Sequence, residues 1–393
     1  MKKFNLFAVI FASVVALSGC SNNPYTYFQH ETRHNLLKEN WTHKINVDPN
    51  RWTEGAGDWF LTGRPDRVEK RISQMPSYNA FAARQVRLPD FDRIIVDANI
   101  DVQILGDQEN ENLAIAGSYS SERDISIHVR GRTLFITQVC EKVCAVNNTI
   151  VRVGINNLRR LTNIKSAHIV GRSVNSDHLD IQSGGDGDII LAGGQRLNLS
   201  SVTQRGAGKV TVLNANTPHL MIDVVGNGSV NVNGRVGINF IRHDGDGEVN
   251  ILGAVSDSLS IDASGNGTTS LLGYANLKKI SAMNNSQVYL YWVRSVAAFI
   301  DERDNARVGL AGKASNLNID ITDNTRFEGS YLYGDNVYVN TAVYAHANVA
   351  PQNKLFALAQ GGSSIYYYPS PRTVVSQSTT QYAMIVPVTH KAN

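Results

Sequence analysis

Hydrophobic and polar residues alternate along most of this chain, and a Gly-x-Gly phrase followed by alternating Val, Ile or Leu returns about every twenty residues. Alternation of this kind predicts β-strands with one dry and one wet face. The phrases begin at Gly185, Gly206, Gly226, Gly245 and Gly265, and degenerate versions begin at Asn284, Asp304, Asp323 and Gly361. A fixed period of this length indicates a solenoid in which each repeat is one turn of a coil.

A second alternating run precedes most phrases, as in Leu179–Ile181 and Leu220–Val224. One repeat is therefore expected to contain strand, turn, strand and turn, with Gly, Asn or Asp at the corners because these residues tolerate positive φ. Stacking the repeats about 4.8 Å apart pairs every strand with its counterparts in the neighbouring coils. The pattern predicts an all-β protein, a parallel β-helix of about ten short two-strand coils over residues 89–370. A β-sandwich of many short strands is the alternative.

The N-terminus predicts export. A positively charged start and an apolar stretch give residues 1–19 the layout of a secretory signal. The sequence Leu17–Cys20 resembles the lipobox of bacterial lipoproteins, and the resemblance implies a lipid on Cys20 at the mature N-terminus. A plain cleaved signal is the alternative. Ser21 stands where inner-membrane retention usually goes with Asp, so the resemblance implies an outer-membrane anchor facing the periplasm, with the cell surface as the other option.

Composition fits an exported, water-exposed body. The chain has 37 Lys and Arg against 34 Asp and Glu. Removal of residues 1–19 takes away two lysines and no acid, which leaves 35 against 34 and a net charge of about +1. This balance offers no electrostatic footprint for nucleic acid, so no nucleic-acid partner is expected. No segment after Cys20 is long and apolar enough to span a bilayer.

The two cysteines that remain after lipidation are Cys140 and Cys144, which flank a short turn between strand-like runs. In an oxidising periplasm we expect a disulfide between them. Metal binding is a lesser alternative because only two thiols are present, with no His close by in sequence. A redox-active pair is less favoured still, since that motif has two intervening residues.

Residues 20–88 lack the repeat and hold several aromatic residues, among them Trp41, Trp52 and Trp59. Disordered tethers are poor in aromatics, so a partly ordered, lipid-anchored arm with a short helix near residues 65–75 is expected. The tryptophans are expected either to anchor a protein partner or to fold back as a cap on the rod.

Tyrosines crowd the last coils, ending in Tyr366, Tyr367 and Tyr368. A solenoid must cover its terminal edge, so capping is their default role and a binding platform the second. Residues 371–393 are expected to form a tail or cap.

From about residue 90 to 275 the chain resembles the GIN-type domain family DUF2807, the autotransporter-adhesin head domain. Phe91–Val96 followed by Ile100–Ile104 looks like the opening hairpin of that family, and Gly185 and Gly206 like its glycine corners. The resemblance implies a β-helix without an established active site, so it supplies no catalytic residues. Here the chain continues for several more coils.

A catalytic face would require a base and a neutralising cation together, as in β-helix enzymes that act on uronic-acid chains. The positions before the glycine corners hold Gln204, Asp223, His243, Asp262, Ala282, Asp301 and Asp320. No Lys or Arg stands among them, so a solvated face is expected. A glycan-cleaving site that uses Asp262 or Asp301 is the lesser alternative.

The acidic corners near Gly185 and Gly245 look like fragments of a calcium-binding β-roll, but that motif needs a nine-residue period. They are expected to serve as turns. No cofactor and no metal site are predicted.

A lipid-anchored rod with aromatic ends favours a non-enzymatic function. The first hypothesis is a structural or protein-interaction component of an envelope assembly. Its expected partners are other envelope proteins, and an oligomeric assembly is compatible with this hypothesis. A faint likeness to accessory lipoproteins of type IVB secretion systems implies a secretion outer-membrane complex. The alternative is a cell-surface adhesin, and the third is a glycan-binding or glycan-cleaving β-helix.

Overall fold

The computed structural model describes residues 84–106, 112–116, 124–139 and 150–388. The predicted signal peptide, the lipidation site Cys20, the arm up to residue 83 with Trp41, Trp52 and Trp59, and the pair Cys140 and Cys144 lie outside the described residues. Within those described ranges the ordered elements are all β-strands, with no helix. The described part accordingly offers no helix long and apolar enough to cross a membrane.

Twenty-one strands follow one another along the chain. They are β1 (Arg84–Arg87), β2 (Arg93–Asp97), β3 (Asp101–Leu105), β4 (Asn112–Ala116), β5 (Ile125–Arg130), β6 (Thr133–Gln138), β7 (Ile150–Gly154), β8 (Arg160–Asn163), β9 (His168–Ser183), β10 (Ile189–Gln204), β11 (Lys209–Gly226), β12 (Ser229–Gly245), β13 (Glu248–Ser264), β14 (Thr268–Ala282), β15 (Gln287–Glu302), β16 (Arg307–Ile321), β17 (Arg326–Thr341), β18 (His346–Ala359), β19 (Ser364–Tyr367), β20 (Val374–Thr379) and β21 (Met384–Pro387).

Each long strand from β9 to β18 is one coil, and it pairs in parallel with the coil before it and the coil after it. Register partners lie between 17 residues apart, as from Tyr333 to Ala350, and 21 residues apart, as from Ile189 to Val210. The fold is a parallel β-solenoid of about eleven turns, which confirms the predicted fold class. A sandwich would have paired the long strands antiparallel with their sequence neighbours.

The coils are bent strands with three paired segments. Strands β11 and β12, for example, pair along residues 209–212, 215–217 and 220–226 of β11, with register breaks between the segments. We call the three sides that these segments build the first, middle and last faces, in chain order. The coil therefore has one more side than the two-strand repeat expected from the sequence, because the short middle segment carries too few residues to show an alternating pattern.

The core is a column of stacked apolar side chains. In one inward ladder Val210, Val230 and Val249 succeed one another in register, each 0% exposed. Full burial of a Val, Leu or Ile side chain stabilises a fold by roughly 1.5–3 kcal/mol, so a ladder of this kind makes each coil depend on its neighbours.

The glycine corners exist chiefly because successive coils touch there. A Cβ built on Gly245 would lie 1.8 Å from the carbonyl oxygen of Gly226, and one on Gly247 would lie 2.0 Å from that of Gly228. Of the first glycines in the five phrases, only Gly226 and Gly265 have positive φ, at 97° and 86°. The expected need for positive φ therefore holds at some corners, whereas close backbone approach explains the others.

The degenerate corners of the later coils use another geometry. Asn284, Asp304, Asp323 and Val343 adopt φ of 60°, 65°, 68° and 65°. Two residues further along, where the earlier coils have their second glycine, the later coils have a small residue buried in the core. These residues are Ser286, Ala306, Thr325 and Ala345. The later corners therefore admit a Cβ at the position where the earlier corners have their second glycine.

The start of the solenoid is less regular than the repeat. Strands β2 and β3, expected as a hairpin, do not pair with each other: β2 pairs in parallel with β6 and β8, and β3 with β7 and β9. They are two sides of one coil, because a corner rather than a tight turn joins them. The antiparallel hairpin is β5–β6, where Ile127 faces Ile136.

The solenoid runs past residue 370. Strand β20 pairs in parallel with β18, and β21 with β19, so the expected tail or cap contributes one more coil. Most side chains of β20 are exposed.

Candidate functional site

The last face carries an outward ladder that is rich in aromatic side chains. In register order it holds Met221, Phe240, Ser260, Lys279, Phe299, Asn318, Tyr338, Phe356 and Ser376. We call it the aromatic ladder. Phe299 is 53% exposed, and Tyr338 and Phe356 are each 42% exposed. Exposed apolar surface in a row usually marks an interaction site.

A second outward ladder runs beside it, two residues further along each strand. It holds Asp223, Arg242, Asp262, Ser281, Asp301, Asp320, Asn340, Leu358 and Ser378. We call it the acidic ladder. It brings together four of the predicted aspartates, but it does not contain the other three residues expected in that column.

Gln204, His243 and Ala282 belong to the neighbouring inward ladder, where they are buried. The expected column was wrong at these positions because these three residues stand two residues before their corners, whereas the aspartates stand three before theirs, and a slip of one residue moves a side chain to the opposite face. The expected lack of a basic residue was also wrong, since Arg242 lies in register between Asp223 and Asp262.

The carboxylates of the acidic ladder are held by near neighbours. Asp223 contacts the guanidinium of Arg205, and the Nε of Arg242 lies 3.8 Å from its Oδ1. The Nε of Arg303 donates to Asp301 at 3.1 Å. Exposed pairs of this kind contribute about 0–1 kcal/mol each, so they serve mainly to set the charge pattern of the face.

The two ladders border a groove of about 710 Å³ on the last face. Phe299, Tyr338 and Phe356 line one side of it, Asp301, Asp320 and Asn340 the other, and Ser376, Gln377 and Ser378 close its C-terminal end. The rings of Tyr338 and Phe356 are stacked, with centroids 4.9 Å apart and planes 2° from parallel. An aromatic wall that faces carboxylate and amide groups can bind a ligand with both apolar and hydroxyl-bearing surfaces.

Two titratable side chains lie in the core and cannot take part in a surface site. Glu302 is fully buried, and burial raises the pKa of its carboxyl well above the ordinary value, with a smaller contribution from Asp301. His243 is 1% exposed, and its Nδ1 lies 3.0 Å from the Oγ1 of Thr269. Burial lowers the pKa of His243, against the opposing effect of Asp244 and Asp246. Both groups are therefore favoured in their neutral forms.

The three C-terminal tyrosines lie on the first face of the last coils and do not form one platform. Tyr366 is half-buried against His346, with ring centroids 5.1 Å apart. Tyr367 is 8% exposed and packs in the core. Tyr368 is half-buried, and its backbone N–H donates to the carbonyl of Val349 at 2.9 Å. The sequence reasoning missed Phe299, Tyr338 and Phe356, whose signal was the recurrence of aromatics at intervals near the coil length.

The acidic corners bond to the backbone of the following coil. Asp186 Oδ1 accepts a hydrogen bond from the N–H of Ala207 at 3.1 Å, and Asp246 Oδ1 accepts one from the N–H of Asn266 at 3.3 Å. They serve as turn contacts. Among the described residues no cluster of three or more His, Cys, Asp or Glu is arranged to hold a metal ion.

Comparison with known families gives one match. The family model DUF2807, described as "Putative auto-transporter adhesin, head GIN domain", matches residues 90–292 and 274–371. The two matched stretches together span most of the described solenoid, including the later coils with degenerate corners. A search of curated proteins found no match.

Several solved structures are similar at low identity. One is a "putative lipid binding protein" from Parabacteroides distasonis, with 12% identity, coverage of 78% of this chain and 96% of the other, and a TM-score of 0.27. A "putative adhesin" from the same species has 14% identity, the same coverages and a TM-score of 0.27. A "putative adhesin" from Bacteroides fragilis has 13% identity, again the same coverages, and a TM-score of 0.26.

Proposed function

We propose that this chain, which belongs to the DUF2807 family of adhesin head GIN domains, is a non-enzymatic adhesin held at the cell envelope by a lipid on Cys20. Family membership supports a surface or envelope-associated role with adhesin character. The observation that carries the proposal is the aromatic ladder, which leaves Phe299, Tyr338 and Phe356 open to water along one side of a rigid rod.

The rod suits adhesion physically. Stacked coils form one continuous core, so a ligand that binds on the side of the solenoid meets a surface whose residues are already fixed in register. A preorganised surface loses little conformational entropy on binding. Lipidation at Cys20 would add membrane affinity of about 0.8 kcal/mol for each buried CH2 group, which retains the rod at the envelope.

Protease treatment of intact cells tests the exposure of the rod. The wild-type protein is expected to be digested without lysis, whereas a periplasmic marker protein stays intact. A Cys20→Ala variant is expected to leave the membrane fraction, which tests the anchor separately. Protection of the wild-type rod until the outer membrane is opened would overturn the surface role and favour an envelope-assembly component.

Adherence tests the function itself. Cells that carry the protein are expected to bind glycan-coated or host-cell surfaces better than a deletion strain, and complementation is expected to restore binding. Equal adherence of the two strains on all surfaces would contradict an adhesin.

A further inference from the structure

We propose that the groove on the last face binds an uncharged, β-linked glycan chain, with one pyranose ring inserted between Phe299 and Tyr338. This inference deepens the adhesin proposal and rests on it, because it names the class of ligand that the adhesin would hold. It is carried by the spacing of the aromatic ladder, the exposure of its rings and the polar groups beside it.

The aromatic ladder lacks an aromatic ring at one coil, where Asn318 stands between Phe299 and Tyr338. Phe299, Asn318 and Tyr338 follow one another in register in three successive coils. Two coil spacings of about 4.8 Å separate Phe299 from Tyr338 by about 9.6 Å along the axis. The stack of Tyr338 on Phe356, with centroids 4.9 Å apart, shows how one coil spacing matches the distance between two packed rings. The position over Asn318 is therefore a slot for one additional ring.

A sugar ring fits the chemistry of that slot. The faces of an aromatic ring carry partial negative charge, and the axial C–H groups of a β-linked pyranose present a weakly positive apolar face to them. Asn318 forms the floor, and its side chain has no hydrogen bond to any other described residue, so both its amide donor and its acceptor are open to a hydroxyl group.

The acidic ladder supplies the rim. Asp301 and Asp320 offer carboxylate oxygens that accept hydrogen bonds from sugar hydroxyls. Asn340 already donates to Asp320 at 2.9 Å, which orients that carboxylate. These two carboxylates outnumber the one cation among the lining residues, Lys279 at the N-terminal end, so the groove disfavours uronic acids and other anionic sugars.

The length of the groove suits a chain rather than a single sugar. Lining residues extend from Lys279 through Phe299 and Tyr338 to Ser376, across five coil spacings of the ladder. At about 4.8 Å per coil this is roughly 24 Å. An extended oligosaccharide lying along the rod axis can therefore contact several coils at once.

Calorimetric titration of the detergent-solubilised lipoprotein with cellohexaose and chitohexaose tests the proposal, with hexamannuronate, a β-linked uronic-acid chain, as the anionic counterpart. At least one of the two uncharged probes is expected to bind, and hexamannuronate is expected to bind at least about tenfold more weakly. Tyr338→Ala is expected to weaken binding of the uncharged probe at least about tenfold. Tyr274→Ala is the matched control: Tyr274 is 39% exposed but lies on the middle face, outside the groove.

The Asn318→Phe variant distinguishes loss of the binding slot from loss of the fold. A phenylalanine there completes the stack from Phe299 to Phe356, so the thermal midpoint is expected to stay equal or rise while the uncharged probe no longer binds. Retained binding by Asn318→Phe, equal loss in Tyr274→Ala, tighter binding of hexamannuronate, or no binding of either uncharged probe at millimolar concentration would each overturn the inference.

The adherence assay distinguishes this inference from the broader function. Cells that carry the Tyr338→Ala protein are expected to adhere more weakly than wild type. Undiminished adherence of that variant would exclude the groove as the binding site but would not contradict the adhesin function. Absence of wild-type adherence together with probe binding in solution would instead remove the adhesin function and leave the glycan site.

Discussion

The Oδ2 atom of Asp304 accepts a hydrogen bond of 3.0 Å from the backbone N–H of Asn284, one coil earlier. Asp323 repeats the contact in the next coil, where it accepts from the N–H of Asp304 at 3.3 Å. The left-handed corners at Asn284 and Asp304 are thus each capped by the aspartate of the corner that follows. The backbone hydrogen bond between successive corners persists beside it, as from the N–H of Asn305 to the carbonyl oxygen of Asn284 at 2.8 Å.

Asp304→Ala is expected to lower the free energy of unfolding by about 1–3 kcal/mol, because it removes the cap and puts a β-carbon without polar compensation at positive φ. Asp304→Gly retains the backbone conformation and is expected to lose less. Urea denaturation of the two variants measures the difference. An Asp304→Ala protein with the wild-type midpoint would contradict the role of the cap.

Val343 is the β-branched residue in this series of left-handed corners, with φ of 65° and a side chain that is 43% exposed. Val343→Asn is expected to raise the free energy of unfolding by about 1–2 kcal/mol, because Asn tolerates this conformation and little apolar burial is lost. Val296→Asn is the control, since Val296 is 69% exposed and its φ is not positive. An equal response of the thermal midpoints in both variants would exclude backbone strain as the cause.

Gly247→Ala is expected to destabilise the solenoid by about 1–3 kcal/mol or more, since its Cβ would meet the carbonyl oxygen of Gly228 at 2.0 Å and backbone cannot move aside cheaply. Gly184→Ala is the control: the atoms nearest to its Cβ are 3.8 Å away, and its φ is not positive. Thermal unfolding followed by far-ultraviolet circular dichroism compares the two. Similar midpoints for both would show that coil approach does not require glycine.

Glu302 makes stability depend on pH in a defined direction. Its carboxyl is fully buried, neither oxygen has a hydrogen-bond partner within the described ranges, and burial raises its pKa above the ordinary value of 4.5. The folded state therefore holds its proton to higher pH than the unfolded state, so its contribution to stability falls as pH rises from about 4.5 towards the folded pKa.

Glu302→Leu removes this dependence. The variant is expected to gain more in thermal midpoint over wild type at pH 8 than at pH 4.5, because the carboxyl that opposes folding when ionised is gone. His243, whose pKa is lowered by burial, changes stability with pH in the opposite direction. Because His243 is present in both proteins, its effect cancels when the thermal midpoint of wild type is subtracted from that of the variant. A gain that is the same at both pH values would mean that Glu302 does not titrate on folding.

The sequence determined the solenoid, because a period-two pattern and a corner phrase that returns every coil leave stacking as the way to cover the apolar faces of successive repeats. It also determined which residues face the core in most coils, as the fully buried Val210 and Val230 show. Cys20, Cys140 and Cys144 stay predictions of the sequence, as does a secretion-complex role.

Tertiary structure decided which residues share a face. His243 stands two residues before its glycine corner and Asp223 three before its own, so the sequence column combined side chains from opposite faces, whereas the register puts Arg242 beside Asp223 and His243 in the core. The same register assembles Phe299, Asn318 and Tyr338 into one wall of the groove. Which outward side chains become neighbours depends on how many residues each coil spends at its bends. That number is set by packing between coils, and the alternation of apolar and polar residues within a strand does not reveal it.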